Sequence, residues 1–203
     1  MADDRAQFPT AIFTGRFASS ELDEATGLAA FKMESEPFQG DPPYAPDFHN
    51  AIGRMVIMWG RFLHHLEISA RHLVALATTY GIQGTASPQF SQNAKTLPRL
   101  YRECPGLTEA ANDAEALMRD AEAVSIQRNI IIHSNINGWG DVDPPYIKLR
   151  KYEYEKKRWS GLDVEMTLAD LNKVGDDADS LNLRLLVLSQ ILQRLPPGPG
   201  KKA

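Results

Sequence analysis

The residues Arg128, Asn129 and His133 are of types that can act on a phosphate group, and they occur within six positions of the chain. The arginine guanidinium is permanently charged and planar, so it matches the oxygens of a phosphoryl group. Histidine titrates near neutral pH and can move a proton to or from a ribose 2′-hydroxyl or a leaving oxygen. The asparagine amide can orient either partner. Together these groups have the chemistry for metal-free cleavage of RNA by the neighbouring 2′-hydroxyl.

The three residues end a predicted helix that runs from Thr108, its N-cap, to about position 133. The inner face of that helix is formed by Leu117, Met118, Ala121, Val124, Ser125 and Ile132. Arg128 falls inside this stripe and Asn129 at its edge, where a charge is costly unless it is paired or opens onto a cleft. His133 lies near Asn129 but is turned by about 140° from Arg128. Arg128 must therefore reach around the helix, or a second subunit must complete the site.

Two interpretations of this polar group stay open on spacing alone. The residues can form a site for phosphate chemistry. Alternatively, Arg128 forms a structural ion pair with a carboxylate from another helix, such as Glu67, and His133 only ends its helix. An arginine followed five positions later by a histidine is a weak motif by itself.

The segment from Arg128 to His133 resembles the motif of the HEPN superfamily, in which an arginine and a polar residue are followed after a few positions by a histidine. The surroundings are similar as well. The first long helix contains the segments Trp59-Gly60-Arg61 and Leu66-Glu67, and a Gly138-Trp139 loop, a hairpin and a last helix follow the motif. The resemblance covers about residues 48–195 and does not extend to the first 46.

The resemblance implies a helical bundle that forms a homodimer along the motif helices, with a composite cleft where two motifs face each other. Catalytic members of the family are metal-independent endoribonucleases, often toxins or phage-defence effectors. By this resemblance Arg128 and His133 would be the catalytic pair, Asn129 their polar neighbour, and Glu67 an acidic support on the first helix. The alternative is a non-catalytic HEPN-like module that binds a nucleotide, RNA or a protein partner.

The resemblance also implies a cognate antitoxin or another protein from a neighbouring gene as a partner. In one subgroup of toxins, a tyrosine two residues after the histidine is modified by a partner nucleotidyltransferase. This chain has Asn135 at that position and so departs from the subgroup.

Three further helices would have to position the motif. The first is predicted over about 48–79 with Asp47 as N-cap, and the second from Ser87-Pro88 to about 103, disturbed at Pro98. The last begins at Thr167, whose spacing to Asp170 resembles a capping box, and ends near position 195. The core of the first helix is predicted as Ile52, Met55, Val56, Trp59, Phe62, Leu63, Leu66, Ala70, Leu73, Val74 and Ala77. That of the last is predicted as Leu168, Leu171, Val174, Leu181, Leu185, Leu188 and Leu192.

A β-hairpin is predicted before the last helix. Residues 146–152 and 162–166 alternate like strands, with a turn at Ser160-Gly161, while 135–140 have the composition of a loop. The predicted fold is therefore mainly α: a four-helix, bundle-like domain over 47–195 with a small hairpin. Residues 1–46 are predicted as an extended arm with a short helical turn near 20–33, and the Pro-rich residues 196–203 as a disordered tail.

The net charge of −4 argues against a strong non-specific binder of nucleic acid, but the basic residues are clustered. The cluster consists of Lys148, Arg150, Lys151, Lys156, Lys157 and Arg158. It predicts either a surface that meets the phosphates of RNA or a solvated hairpin.

No metal or cofactor is expected. Cys104 is the only cysteine, and His64, His65 and His72 on the first helix lack the spacing of a zinc site. No apolar run reaches the roughly 20 residues that span a bilayer, and the first residues do not resemble a secretory signal. We therefore expect a cytoplasmic protein.

Overall fold

The computed structural model describes residues 13–17, 40–155 and 158–195. The predicted helical turn near 20–33 and the predicted tail lie outside these residues. The elements follow in the order β1 (Phe13–Phe17), α1 (Ala45–Thr79), α2 (Phe90–Glu103), α3 (Ala111–Ile132), β2 (Asn135–Gly140), β3 (Tyr146–Glu155), β4 (Arg158–Thr167) and α4 (Leu168–Arg194). The described chain is mainly helical, with an antiparallel sheet before the last helix, which confirms the predicted fold class.

The helix boundaries agree with periodicity except at three N-termini. α2 begins at Phe90, with Gln89 at its N-cap position, and not at the predicted Ser87-Pro88. α1 begins at Ala45, so Asp47 is not its N-cap but lies in its first turn. A carboxylate there still interacts favourably with the helix dipole. α3 begins at Ala111, so Thr108 is not its N-cap and instead begins a 3₁₀ turn, Thr108–Ala110, that precedes the helix. Pro98 lies inside α2 without ending it, because the helix continues to Glu103.

The sheet corrects the prediction of a two-stranded hairpin. Its strand order is β1-β4-β3-β2, and every neighbouring pair is antiparallel. The predicted turn at Ser160-Gly161 is wrong, because Gly161 pairs with Tyr152 inside the ladder and the pairing continues to Glu155 and Arg158. The strand β1 comes from the predicted N-terminal arm.

The strand β2 lies where the composition predicts a loop, and its glycines explain the error. Gly138 has a φ of +148°, which favours glycine, and the pairing register shifts between Ile136 and Gly138. A Cβ atom at Gly140 would lie 2.1 Å from ring atoms of Tyr146. The two glycines therefore permit a bulge and a close approach to the neighbouring strand.

The described residues divide into two compact units. The sheet unit contains 13–17, 40–52, 129–155 and 158–172, and the helical unit contains 53–128 and 173–195. In the sheet unit, the buried apolar side chains of the strands are Ile147, Leu149, Val164 and Met166. The ring of Trp139 packs edge-on against Phe48 and Tyr44 at centroid distances of 5.7 and 5.9 Å. The hydroxyl of Tyr44 donates to the Gly140 carbonyl at 3.2 Å, which attaches β2 to the start of α1.

The helical unit has a continuous apolar core. Its buried α1 residues are Met55, Trp59, Phe62, Leu66, Ala70, Leu73 and Ala77, and those from α4 are Val174, Ala178, Leu181, Leu185, Leu188 and Leu192. The Tyr101 hydroxyl on α2 donates to the Leu188 carbonyl at 2.9 Å, and burial raises the pKa of that phenol. None of the helices in the described part of the chain combines the length and hydropathy needed to cross a bilayer.

Several predicted core positions are corrected. Val56 is 39% exposed. Four other predicted core residues are only half-buried: Ile52, Leu63, Val74 and Leu168. On α3, Ile131 is buried while Ile132 and Ser125 are half-buried. Ile131 follows Val124 by seven residues and so continues the same helical row.

The N-terminus of α4 carries the predicted capping box. The backbone N–H of Thr167 donates to Oδ2 of Asp170 at 2.8 Å, and the backbone N–H of Asp170 donates to Oγ1 of Thr167 at 3.2 Å. These two bonds satisfy donors that the first turn leaves without a partner in the helix.

Thr167→Ala is expected to lower the free energy of unfolding by about 1 kcal/mol, because it removes the side-chain acceptor at the cap. The measurement is urea denaturation followed by circular dichroism. The matched control is Thr78→Ala, at an exposed position where the hydroxyl only donates to the Val74 carbonyl of the same helix at 2.8 Å. An equal loss in both variants would contradict a specific capping role.

Candidate functional site

Asn129 and His133 lie one helical turn apart at the end of α3. The backbone N–H of His133 donates to the carbonyl of Asn129 at 3.1 Å, so the helical hydrogen-bond pattern reaches one residue beyond Ile132. The hydroxyl of Ser134 donates to the carbonyl of Ile130 at 2.5 Å and supplies a further bond to this last turn. Asn129 is half-buried and His133 is exposed. The imidazole is therefore open to solvent while its backbone is held by the helix end.

Arg128 is the last residue of the helical unit on α3. It follows the buried residues Ala121 and Val124 by seven and four positions, so it continues their row along the helix. Its side chain is half-buried, and its Nε atom is buried. Because the stem of the side chain is embedded, the Arg128 guanidinium can move less than the guanidinium of a surface arginine. It is therefore suited to hold a positive charge at a fixed position.

Glu67, the predicted acidic support, forms an ion pair with Arg71, one turn further along α1. Its side chain is 27% exposed, so this carboxylate is partly shielded from solvent. A role for Glu67 beside Arg128 stays a prediction.

The described members of the basic cluster do not form one continuous basic face. Lys148 and Arg150 alternate with the buried residues Ile147 and Leu149 along β3, so they lie on the opposite face of the strand. Lys151 follows Leu149 by two residues and therefore lies on the same face as that buried residue. Lys156, Lys157 and the side chain of Arg158 lie outside the described residues.

Acidic residues on β4 lie opposite Lys148 and Arg150 of β3. Lys148 pairs in register with Glu165, and Arg150 pairs with Asp163. Arg150 donates two hydrogen bonds to Asp163, from Nε at 2.6 Å and from Nη2 at 2.7 Å. The hydrogen bond to Asp163 raises the pKa of Arg150 far above its usual value. Phosphate would have to compete with these carboxylates.

Sequence reasoning missed Asp163 and Glu165 as partners of the cluster. Their positions in the strand pattern place both on the face opposite the buried Val164 and Met166. Which basic residue each faces depends on the register between β3 and β4, and the incorrect turn at Ser160-Gly161 would have shifted that register.

Two other residues of nucleophile or ligand type, Cys104 and His65, are held in the core or between helices. Cys104 is buried, and burial raises the pKa of its thiol. His65 Nδ1 donates to Oδ1 of Asn182 at 3.0 Å, so this imidazole links α1 to α4. Among the described residues, no group of three or more His, Cys, Asp and Glu side chains is arranged to hold a metal ion.

Comparisons with protein-family models, with curated proteins and with solved structures give no significant match for this chain.

Proposed function

We propose that this protein is a metal-independent endoribonuclease of the HEPN type, in which Arg128, Asn129 and His133 act on the RNA backbone. The observation that carries the proposal is the exposed imidazole of His133 directly after α3, whose last residues include the half-buried Arg128 and Asn129. Arg128 continues the buried row of Ala121 and Val124, where a helix built only for packing would carry an apolar side chain.

The proposed reaction is attack by a ribose 2′-oxygen on the adjacent phosphorus. His133 takes the proton of the 2′-hydroxyl, the new P–O bond forms, and the bond to the 5′-oxygen breaks. The leaving oxygen takes up a proton, so the products end in a 2′,3′-cyclic phosphate and a 5′-hydroxyl. Solvent water can supply that proton, and the protonated His133 then returns its proton to solvent.

Arg128 and Asn129 have supporting roles in this reaction. The guanidinium of Arg128 would neutralise the charge that grows on the non-bridging phosphate oxygens, and a preorganised donor is worth more there than in water. The Asn129 amide would hold a hydroxyl or phosphate oxygen in line for attack. Both roles require side chains whose position is restricted, which agrees with their partial burial.

The test is incubation of the purified protein with mixed single-stranded RNA in EDTA, followed by analysis of the new ends. The wild type is expected to leave cyclic-phosphate ends, and Arg128→Ala to cleave about 100-fold more slowly, because it lacks the stabilising charge. Arg119→Ala is the matched control, since Arg119 lies on the same helix with its side chain 74% exposed. It is expected to cleave like the wild type.

Two outcomes would contradict the proposal. Equal cleavage by the wild type and by Arg128→Ala would remove this residue from the reaction. The absence of cleavage by folded wild-type protein, with RNA or nucleotide binding that Arg128→Ala weakens, would instead identify a non-catalytic binding module.

A further inference from the structure

From Asp176 to Arg194, α4 has an exposed stripe on the side that faces away from the core. Leu183 and Val187 at its centre are 61% and 60% exposed, which is unusual for neighbouring large apolar side chains on one helix face. Its residues recur at alternating spacings of four and three, which is the spacing of the residues along the seam where two helices of a coiled coil meet. Its members, all exposed, are Asp176, Ser180, Leu183, Val187, Gln190 and Arg194.

Contacts on both flanks of α4 show that this face is the outer one. On one flank, Asn182 Nδ2 donates to the Met58 carbonyl of α1 at 3.1 Å. On the other flank, Arg184 donates to Asp120 of α3 at 2.7 Å. The buried residues Leu181, Leu185, Leu188 and Leu192 occupy the inner side. The stripe is therefore the remaining side of the helix within the helical unit.

The order of residue types along the stripe is self-complementary. It reads acidic, polar, apolar, apolar, polar, basic from Asp176 to Arg194. If a second α4 is laid on it in the antiparallel direction about Leu185, Leu183 faces Val187 of the partner subunit. Asp176 then faces Arg194 of the partner subunit. A parallel arrangement would place like charges together at both ends, which opposes association.

We propose that a second copy of this chain docks on the α4 stripe in the antiparallel direction, about a two-fold axis near Leu185. Such an interface is isologous, because each subunit presents the same surface to the other. The residues from Asp176 to Arg194 span about 27 Å at 1.5 Å per residue, and seams with this spacing cross at about 20°.

Neighbouring apolar residues widen the surface beyond one seam. Leu186 on α4 is 43% exposed, and Ile57 and Ile68 on α1 are 55% and 39% exposed. The helices α1 and α4 run side by side in the same direction, because Arg54 contacts Asp176 at 2.6 Å and Ser69 contacts Ser189 at 2.7 Å. On the helical wheel, Ile68 lies between the α4-facing side of α1 and its solvent side, whereas Ile57 lies directly opposite the buried row and does not border the stripe. Leu186 and Ile68 add area toward the roughly 800 Å² per subunit of a standard interface.

This inference does not rest on the proposed ribonuclease activity, since it uses no residue of the Arg128–His133 segment. It also differs from the dimer along the motif helices that the family resemblance implies. Ile126 on α3 is 59% exposed, as apolar and as accessible as Val187. The two residues therefore distinguish an α4 interface from an α3 interface.

The test is sedimentation velocity from about 1 to 100 μM, a range that includes weak specific interfaces. The wild type is expected to dimerise, and Val187→Glu to raise the dissociation constant roughly 30-fold or more, because a carboxylate would be buried without a partner. The matched control is Val142→Glu, 60% exposed in the loop after β2. This control and Ile126→Glu are both expected to dimerise like the wild type.

A charge exchange tests the antiparallel direction. Arg194→Glu and Asp176→Arg are each expected to weaken the dimer, and the double variant to restore it, because the exchanged charges would again face each other. Arg54→Ala, which only removes the partner of Asp176 within the subunit, should leave the dimer unchanged. A monomeric wild type, a dimer broken by Ile126→Glu but not by Val187→Glu, or no restoration in the double variant would overturn the proposal.

Discussion

His133→Ala is expected to lower the rate of RNA cleavage by about 10²–10⁴-fold, the usual contribution of a positioned proton-transfer group. The unfolding temperature should hardly change, because the imidazole is exposed and contributes little packing. The measurement is the rate of loss of a defined single-stranded RNA in EDTA, with thermal unfolding followed on the same preparations.

The matched control for this experiment is His72→Ala. His72 is also exposed, but it lies on α1. Its removal should leave cleavage unchanged. Cleavage that survives in His133→Ala at the wild-type rate would show that the activity belongs to another group or to a contaminating ribonuclease, and it would end the proposed assignment.

Phe62→Ala is expected to lower the free energy of unfolding by about 3–5 kcal/mol, the largest stability effect that we predict. Phe62 is fully buried in the helical unit, with its ring centroid 5.3 Å from that of Trp59 and 6.5 Å from that of Phe90. The substitution removes the ring from two aromatic contacts and leaves a cavity that the neighbouring side chains fill only in part.

Urea denaturation of Phe62→Ala beside Ile57→Ala measures this effect. Ile57 lies on the same helix but is 55% exposed, so its truncation should cost less than about 0.5 kcal/mol. A loss below about 1 kcal/mol for Phe62→Ala would mean that the core around α2 collapses onto the vacated space. The aromatic contacts would then not be what stabilises this unit.

The helices were predictable because the information that defines them is local. Apolar residues that recur every three or four positions identify the buried rows of α1 and α4, and the core residues Phe62 and Leu185 follow from such rows alone. The capping box needs only Thr167 and Asp170, which are three positions apart. Arg128, Asn129 and His133 were recognisable for the same reason, since they all lie within six positions on one helix.

Strand pairing was predicted less well, because β1 is distant in sequence from its partner strand and β2 lacks the usual residue pattern of a strand. β1 pairs Phe13 with Val164, some 150 positions away, so no local pattern could indicate it. β2 is rich in asparagine and glycine, and its bulge at Gly138 replaces the usual alternation of apolar and polar residues. Such a segment becomes a strand only when a neighbour supplies its hydrogen bonds.

The sequence by itself therefore determined the helices, their main apolar rows and the polar group at the end of α3. Tertiary structure alone decided which charges oppose one another, because the pairing of Arg150 with Asp163 depends on a register between two strands. It also decided that Val56 is exposed and that Leu63 and Val74 are only half-buried, although all three belong to the predicted core row of α1. Periodicity reports that a face is apolar, but only packing against other elements determines whether that face is buried.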